Sequence, residues 1–116
     1  MAQSNSRLVQ QQSDFALALA KLLIEAGKND KTVTLGEVLR PSILARWYAR
    51  IGIGIAASQH SKNLAVDLRL YVEGVYQTKT PDYRWLGERW ERLDKRARWG
   101  GRFMKPDGNH FEFINP

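Results

Sequence analysis

Two histidines occur in the 116 residues, His60 and His110, and each has an aspartate close by. His60 stands in "SQHSKNLAVDL", residues 58–68, seven positions before Asp67. His110 stands in "DGNHFEF", three positions after Asp107. Two imidazoles and one carboxylate form a three-donor set for zinc that leaves a fourth position for water, the arrangement of a catalytic rather than a structural site. Zinc lowers the pKa of such a water to about 7. A neighbouring carboxylate must then take the proton and pass it to a leaving amine, and Asp107 is placed for that work. Spacing alone leaves blander readings open: a solvated loop histidine, an aspartate paired with an arginine, and Asp107-Gly108 as a plain turn.

The elements that must bring these groups together can be read from periodicity. "LAVDLRLYV" alternates Leu64, Val66, Leu68 and Leu70 against Ala65, Asp67, Arg69 and Tyr71, which predicts a strand with Asp67 on the face away from its leucines. It turns at Glu73-Gly74 into a second short strand, "VYQT". "HFEFI" alternates as a last strand and carries His110 at its start. If that strand lies beside the one bearing Asp67, His60, Asp67 and His110 can converge. Upstream, residues 7–26 have helical spacing with Gly27 as a stop, and "MAQSNS", residues 1–6, reads as a disordered tail. "TVTLGEVL" predicts a short strand, Pro41 opens a helix to about Arg50, and "IGIGIAAS" is a glycine-broken loop. A charged helix follows Pro81 and runs to about Ala97. Helices mixed with antiparallel hairpins make the fold class α+β, a small antiparallel sheet with flanking helices in one domain spanning 1–116.

Composition narrows the chemistry. The absence of cysteine removes disulfides, thiolate zinc sites, iron–sulfur clusters and thiol nucleophiles. A net charge of +6 and a pI near 9.9 suit an anionic partner such as nucleic acid, a membrane surface or bacterial cell wall. No stretch has the length of a membrane span, and "FALALAKLLIEAG" lacks the basic leader of a signal peptide. Arg84, Arg89, Arg92, Lys95, Arg96, Arg98 and Arg102 interleave with Asp82, Glu88, Glu91 and Asp94, which predicts a salt-bridged, solvated face rather than a phosphate grip. Trp85, Trp90 and Trp99 have the spacing of core residues, although a substrate groove is also open to them.

Order and spacing together resemble the zinc D-Ala-D-Ala carboxypeptidases and L-alanyl-D-glutamate endopeptidases, a family that includes many phage endolysins. That family carries Ser-x-His-x-x-Gly-x-Ala-x-Asp, then Trp-Gly-Gly, then Asp or Glu-x-x-His followed by an aromatic residue and Glu. Here stand Ser58-Gln-His60, Ala65-Val-Asp67, Trp99-Gly100-Gly101 and Asp107-Gly-Asn-His110-Phe-Glu112. The resemblance runs from about Leu39 to the C-terminus and implies the zinc peptidase fold shared by DD-peptidases and Hedgehog domains. It implies His60, Asp67 and His110 as zinc ligands and Asp107 as general base and acid. Arg40 would polarise the scissile carbonyl, and Ser58 would contact substrate or orient its loop. Beside the resemblance, Trp99 is a candidate substrate contact, and Glu112, with its side chain turned away from the zinc, would hold a ligand histidine in its tautomer. Asn63 replaces the family glycine and tolerates similar backbone angles. Ala45 replaces a glutamine common after the arginine, a departure bearing on Arg40 and not on the ligands.

The expected activity is hydrolysis of a stem or cross-link peptide bond of peptidoglycan, either L-Ala-D-Glu or a D-Ala-containing bond. The expected molecule is a monomer without a nucleic-acid partner. It would be made in a host bacterial cytoplasm from a phage or prophage gene and released to the periplasm and wall through a holin. Two rival readings are a non-catalytic zinc-binding wall or virion module on the same fold, and a small basic nucleic-acid-binding protein.

Overall fold

Apolar residues recurring every three or four positions form one long helix, α1 (Ala2–Lys28), in the computed structural model, which describes residues 2–38 and 64–114, with side chains from Arg7. Phe15, Ala18, Leu22 and Ala26 make its buried stripe. The helix takes in residues 2–6, whose polar composition suggests a tail. It also passes through Gly27. The stop is supplied by Asp30 in the left-handed region (φ 58°), with the N–H of Lys31 donating to Ala26 O at 2.9 Å and that of Asp30 to Gly27 O at 3.3 Å. This is a Schellman closure with aspartate in the usual glycine position.

Strand β1 (Thr32–Leu35) leads back along β2 (Ala65–Val72), antiparallel, with Val33 opposite Leu70 and Leu35 opposite Leu68. Glu73 (φ 51°) and Gly74 (φ 80°) both take positive angles, the two-residue hairpin turn that matches strand twist, and β3 (Val75–Tyr76) returns on β2. A 3-10 turn over Thr80–Tyr83 feeds helix α2 (Arg84–Leu93). Strand β4 (Ala97–Trp99), a 3-10 turn over Gly100–Arg102 and strand β5 (His110–Phe113) complete the described chain. The sheet order is β1-β2-β5-β4, with β3 on β2, and every pairing is antiparallel. The helices pack on one face, so the α+β class and the small antiparallel sheet expected from the sequence are what the chain forms.

Helix α2 ends four residues before the predicted Ala97, and the reason is local. The Asp94 carboxylate accepts the backbone N–H of Arg96 at 2.9 Å and two guanidinium N–H groups of the same arginine at 2.9 Å. The Ala97 N–H donates to Asp94 O at 3.1 Å. A side chain that captures the backbone two residues on competes with the helix ladder and wins here, which frees Ala97–Trp99 to become an edge strand. Arg96 also reaches Asp14 of α1 at 3.1 Å. Mainly through the Arg96 hydrogen bond, the Asp94 carboxyl is held down at about 2. A depressed carboxyl stabilises the fold above its unfolded pKa, and that contribution disappears as pH falls through about 2. Asp94→Asn is therefore expected to flatten the loss of stability between pH 4 and pH 2, read by urea unfolding. Parallel curves for the two proteins would show that the link contributes nothing.

Trp90 is the centre of the core. Its ring meets Phe15 and Phe111 edge-on at 5.5 and 6.2 Å and Phe113 at 5.4 Å. Its indole N–H is shared between Arg98 O and Glu112 O, each at 3.1 Å, and these residues face each other across β4 and β5. A buried indole thus stays satisfied while it locks the edge strand onto β5. Arg89 pairs with Glu25 and Arg102 with Glu91, both at 2.7 Å, so much of the basic cluster forms the ion-paired surface its interleaved charges predicted.

Candidate active site

Strand alternation decides which groups meet. On β2, Val66, Leu68 and Leu70 face the core; on β5, Phe111 and Phe113 do so. Asp67, His110 and Glu112 therefore share the opposite face. β2 and β5 are neighbours, and their register sets Asp67 directly opposite His110. The Leu68 N–H donates to Asn109 O at 2.8 Å and extends that ladder past the histidine. His110 is buried, 8% exposed. Its Nδ1 lies 3.6 Å from Asp67 Oδ1, an ion-pair contact too long for a hydrogen bond, and its Nε2 lies 2.6 Å from Glu112 Oε1.

This geometry fits a zinc ion. Two donors each 2.0–2.1 Å from a tetrahedral ion stand roughly 3.3 Å apart, close to the 3.6 Å between Nδ1 and Oδ1. A carboxylate on the far ring nitrogen is the usual orienting partner of a metal-binding histidine. Burial is the largest single influence on the ring and pushes its pKa down. The carboxylates of Asp67 and Glu112 together outweigh it and hold the pKa up at about 9. In the metal-free protein the ring is thus a charged member of a His–carboxylate cluster, and a metal at Nδ1 must displace its proton. Among the described residues no third His, Cys, Asp or Glu completes a metal-binding group. The third donor expected from the sequence, His60, lies outside the described residues, as do Arg40, Ser58 and Asn63.

Backbone contacts hold the two described donors from both sides. The Gly36 N–H donates to Asp67 O at 2.6 Å and the Asp67 N–H to Glu37 O at 2.8 Å, so pairing continues past the end of β1. A Cβ at Gly36 would stand 3.2 Å from that of Asp67, which explains a glycine there. On the other side, Asp107 and His110 are joined by a turn, His110 N–H to Asp107 O at 3.1 Å. The turn keeps their α-carbons within about 7 Å and leaves the Asp107 side chain exposed.

Trp99 turns out to anchor this turn from inside. It is buried, its indole N–H donates to Gly108 O at 2.6 Å, and Gly87 and Gly101 lie so close to its ring that a Cβ on either would collide with it. The Gly100 carbonyl accepts the Asp107 N–H at 2.9 Å, and a Cβ at Gly100 would strike the Asp107 backbone. The Trp-Gly-Gly stretch therefore positions the Asp107–His110 turn, with Trp99 in the core, one of the two places its spacing leaves open. Phe103 was not singled out from sequence. Its ring lies 5.6 Å from that of His110, and no local pattern announces that contact.

Fold and site together define a class: an α+β protein whose antiparallel sheet carries a histidine–carboxylate centre on one face and helices on the other. The family described as D-alanyl-D-alanine carboxypeptidase matches residues 54–113, more than half of the chain, and the chain belongs to that family. It is similar to the L-Ala D-Glu endopeptidase ChiX of Serratia marcescens, known from a crystal structure, at 25% identity and a TM-score of 0.62. The match covers 71% of this chain and 66% of that one, just under two thirds of the relative's length. Among curated proteins no sequence matches.

If Glu112 orients a metal-binding imidazole, Glu112→Gln is expected to weaken zinc binding roughly 10–100-fold while leaving the donors in place. Competition with a chromophoric chelator measures this, and unchanged affinity would reduce Glu112 to a surface contact of the strand.

Proposed function

We propose that this chain is a zinc-dependent peptidase that hydrolyses a peptide bond in the stem or cross-link of bacterial peptidoglycan, at L-Ala-D-Glu or a D-Ala-containing bond. The observation that carries the reading is the direct register of Asp67 with His110, with Glu112 behind the histidine at 2.6 Å. Membership of a carboxypeptidase family and likeness to an endopeptidase support the peptide substrate. Among the described residues no helix is long and apolar enough to cross a membrane.

Asp67 and the Nδ1 of His110, with His60, would hold zinc, which when bound supplies Lewis acidity toward a carbonyl and an acidified water. Glu112 keeps the His110 ring turned so that Nδ1 faces Asp67. Asp107, exposed on a turn tied to His110, takes the proton of the attacking water and delivers it to the departing amine. Arg40 follows Glu37, whose carbonyl accepts the Asp67 N–H, by three residues. Its permanent charge suits the oxygen that becomes negative. The net charge of +6 suits approach to an anionic wall polymer.

The test is digestion of purified peptidoglycan with and without a chelator, with the products identified by mass spectrometry. Expected are fragments with a new amine and a new carboxylate at one type of bond, lost on chelation and restored by zinc. Undiminished cleavage by a zinc-free preparation would end the metal mechanism.

A further inference from the structure

Arg98 lies opposite Glu112 in the pairing of β4 with β5, on the same sheet face as Asp67 and His110. Glu112, the carboxylate across from it, is turned to His110 at 2.6 Å. The Arg98 guanidinium rests instead over Phe103, 5.0 Å from the ring centroid, and the same ring lies 5.6 Å from the His110 imidazole. One aromatic ring thus separates a cation from the His110 imidazole. Three arginines of the same basic cluster have carboxylates of their own: Arg89 has Glu25, Arg96 has Asp94, and Arg102 has Glu91. Among the described residues none pairs with Arg98, which is exposed. Stacking uses the face of a guanidinium and leaves its rim of N–H donors free, and a carboxylate is the group that matches that rim.

The geometry points to Arg98, steadied by Phe103, as a specificity residue that receives a carboxylate on the substrate residue whose amine departs. This rests on the peptidase reading above. Both kinds of bond in question put such a group there. The glutamate released from an L-Ala-D-Glu bond keeps a carboxylate beside the bond, and a D-alanine released from a chain end carries its own. Phe103 serves twice, holding the guanidinium in place and walling the side of His110.

The test uses two synthetic stem peptides that differ only in a carboxylate or a carboxamide on the leaving residue, with the zinc-loaded protein. The wild type is expected to show a KM about ten- to a hundredfold lower for the carboxylate, the worth of one charge-assisted hydrogen-bonded pair. Arg98→Gln is expected to erase that preference by raising KM for the carboxylate peptide, with kcat kept within about threefold. Arg98→Lys should recover part of the preference and Phe103→Leu should lose part of it. Equal KM values in the wild type, or a preference that survives Arg98→Gln, would overturn the assignment. Failure of the wild type to cut either peptide would instead overturn the peptidase reading and this inference with it, so the two failures are told apart.

Discussion

His110→Ala is expected to lose both stoichiometric zinc and peptidase activity, the latter by about a thousandfold or more, because no side chain replaces the water activation that zinc provides. The size of the effect follows from where the ring sits. It is buried between Asp67 and Glu112, touching one with each nitrogen. Removing it deletes a donor and also leaves two carboxylates facing a small cavity without the cation between them, so the metal-free protein should lose stability as well. Metal analysis on the purified variant, with circular dichroism to show that it folds, separates the two consequences. A folded His110→Ala protein that still carries one zinc per chain would remove His110 from the proposed ligand set.

Asp107→Asn is expected to behave in the opposite way toward the metal. Asparagine keeps the shape of aspartate and is itself a good turn residue, so the backbone bonds from Asp107 to Gly100 and from His110 to Asp107 survive. Zinc content should therefore match the wild type while kcat falls by roughly 10²–10⁴-fold, the usual worth of a positioned proton-transfer group. Asp107→Glu, which keeps the carboxylate, should recover part of the rate. Full activity in Asp107→Asn would assign the proton transfer to another group.

How much of this was legible beforehand depends on the range of the interaction concerned. Alternation along β2 put Asp67 off the core face, and alternation in "HFEF" did the same for His110 and Glu112. The Glu73-Gly74 turn was equally plain. Local rivalry was harder to read. Helical spacing after Pro81 runs on toward Ala97, and only the capture of the Arg96 backbone by Asp94 shows why the helix stops at Leu93. The aromatic character of Trp99 suited a substrate wall as well as a core. Three-dimensional crowding by Gly87 and Gly101 gives its ring to the interior.

Strand faces, turns and the types of donor are properties of neighbours in the chain, and for that reason they can be read from residue order. The meeting of Asp67 with His110 is different in kind. It joins segments some forty residues apart, and because side chains alternate with a period of two, a slip of one residue would turn either group to the core. What prevents that slip is the packing of Phe111 and Phe113 against Trp90 on the far face of the sheet, together with the Gly36 and Glu37 backbone bonds to Asp67. The juxtaposition of Arg98, Phe103 and His110 belongs to the same category. Each residue is ordinary where it stands in the chain, and their chemistry begins when three separate segments place them on one face.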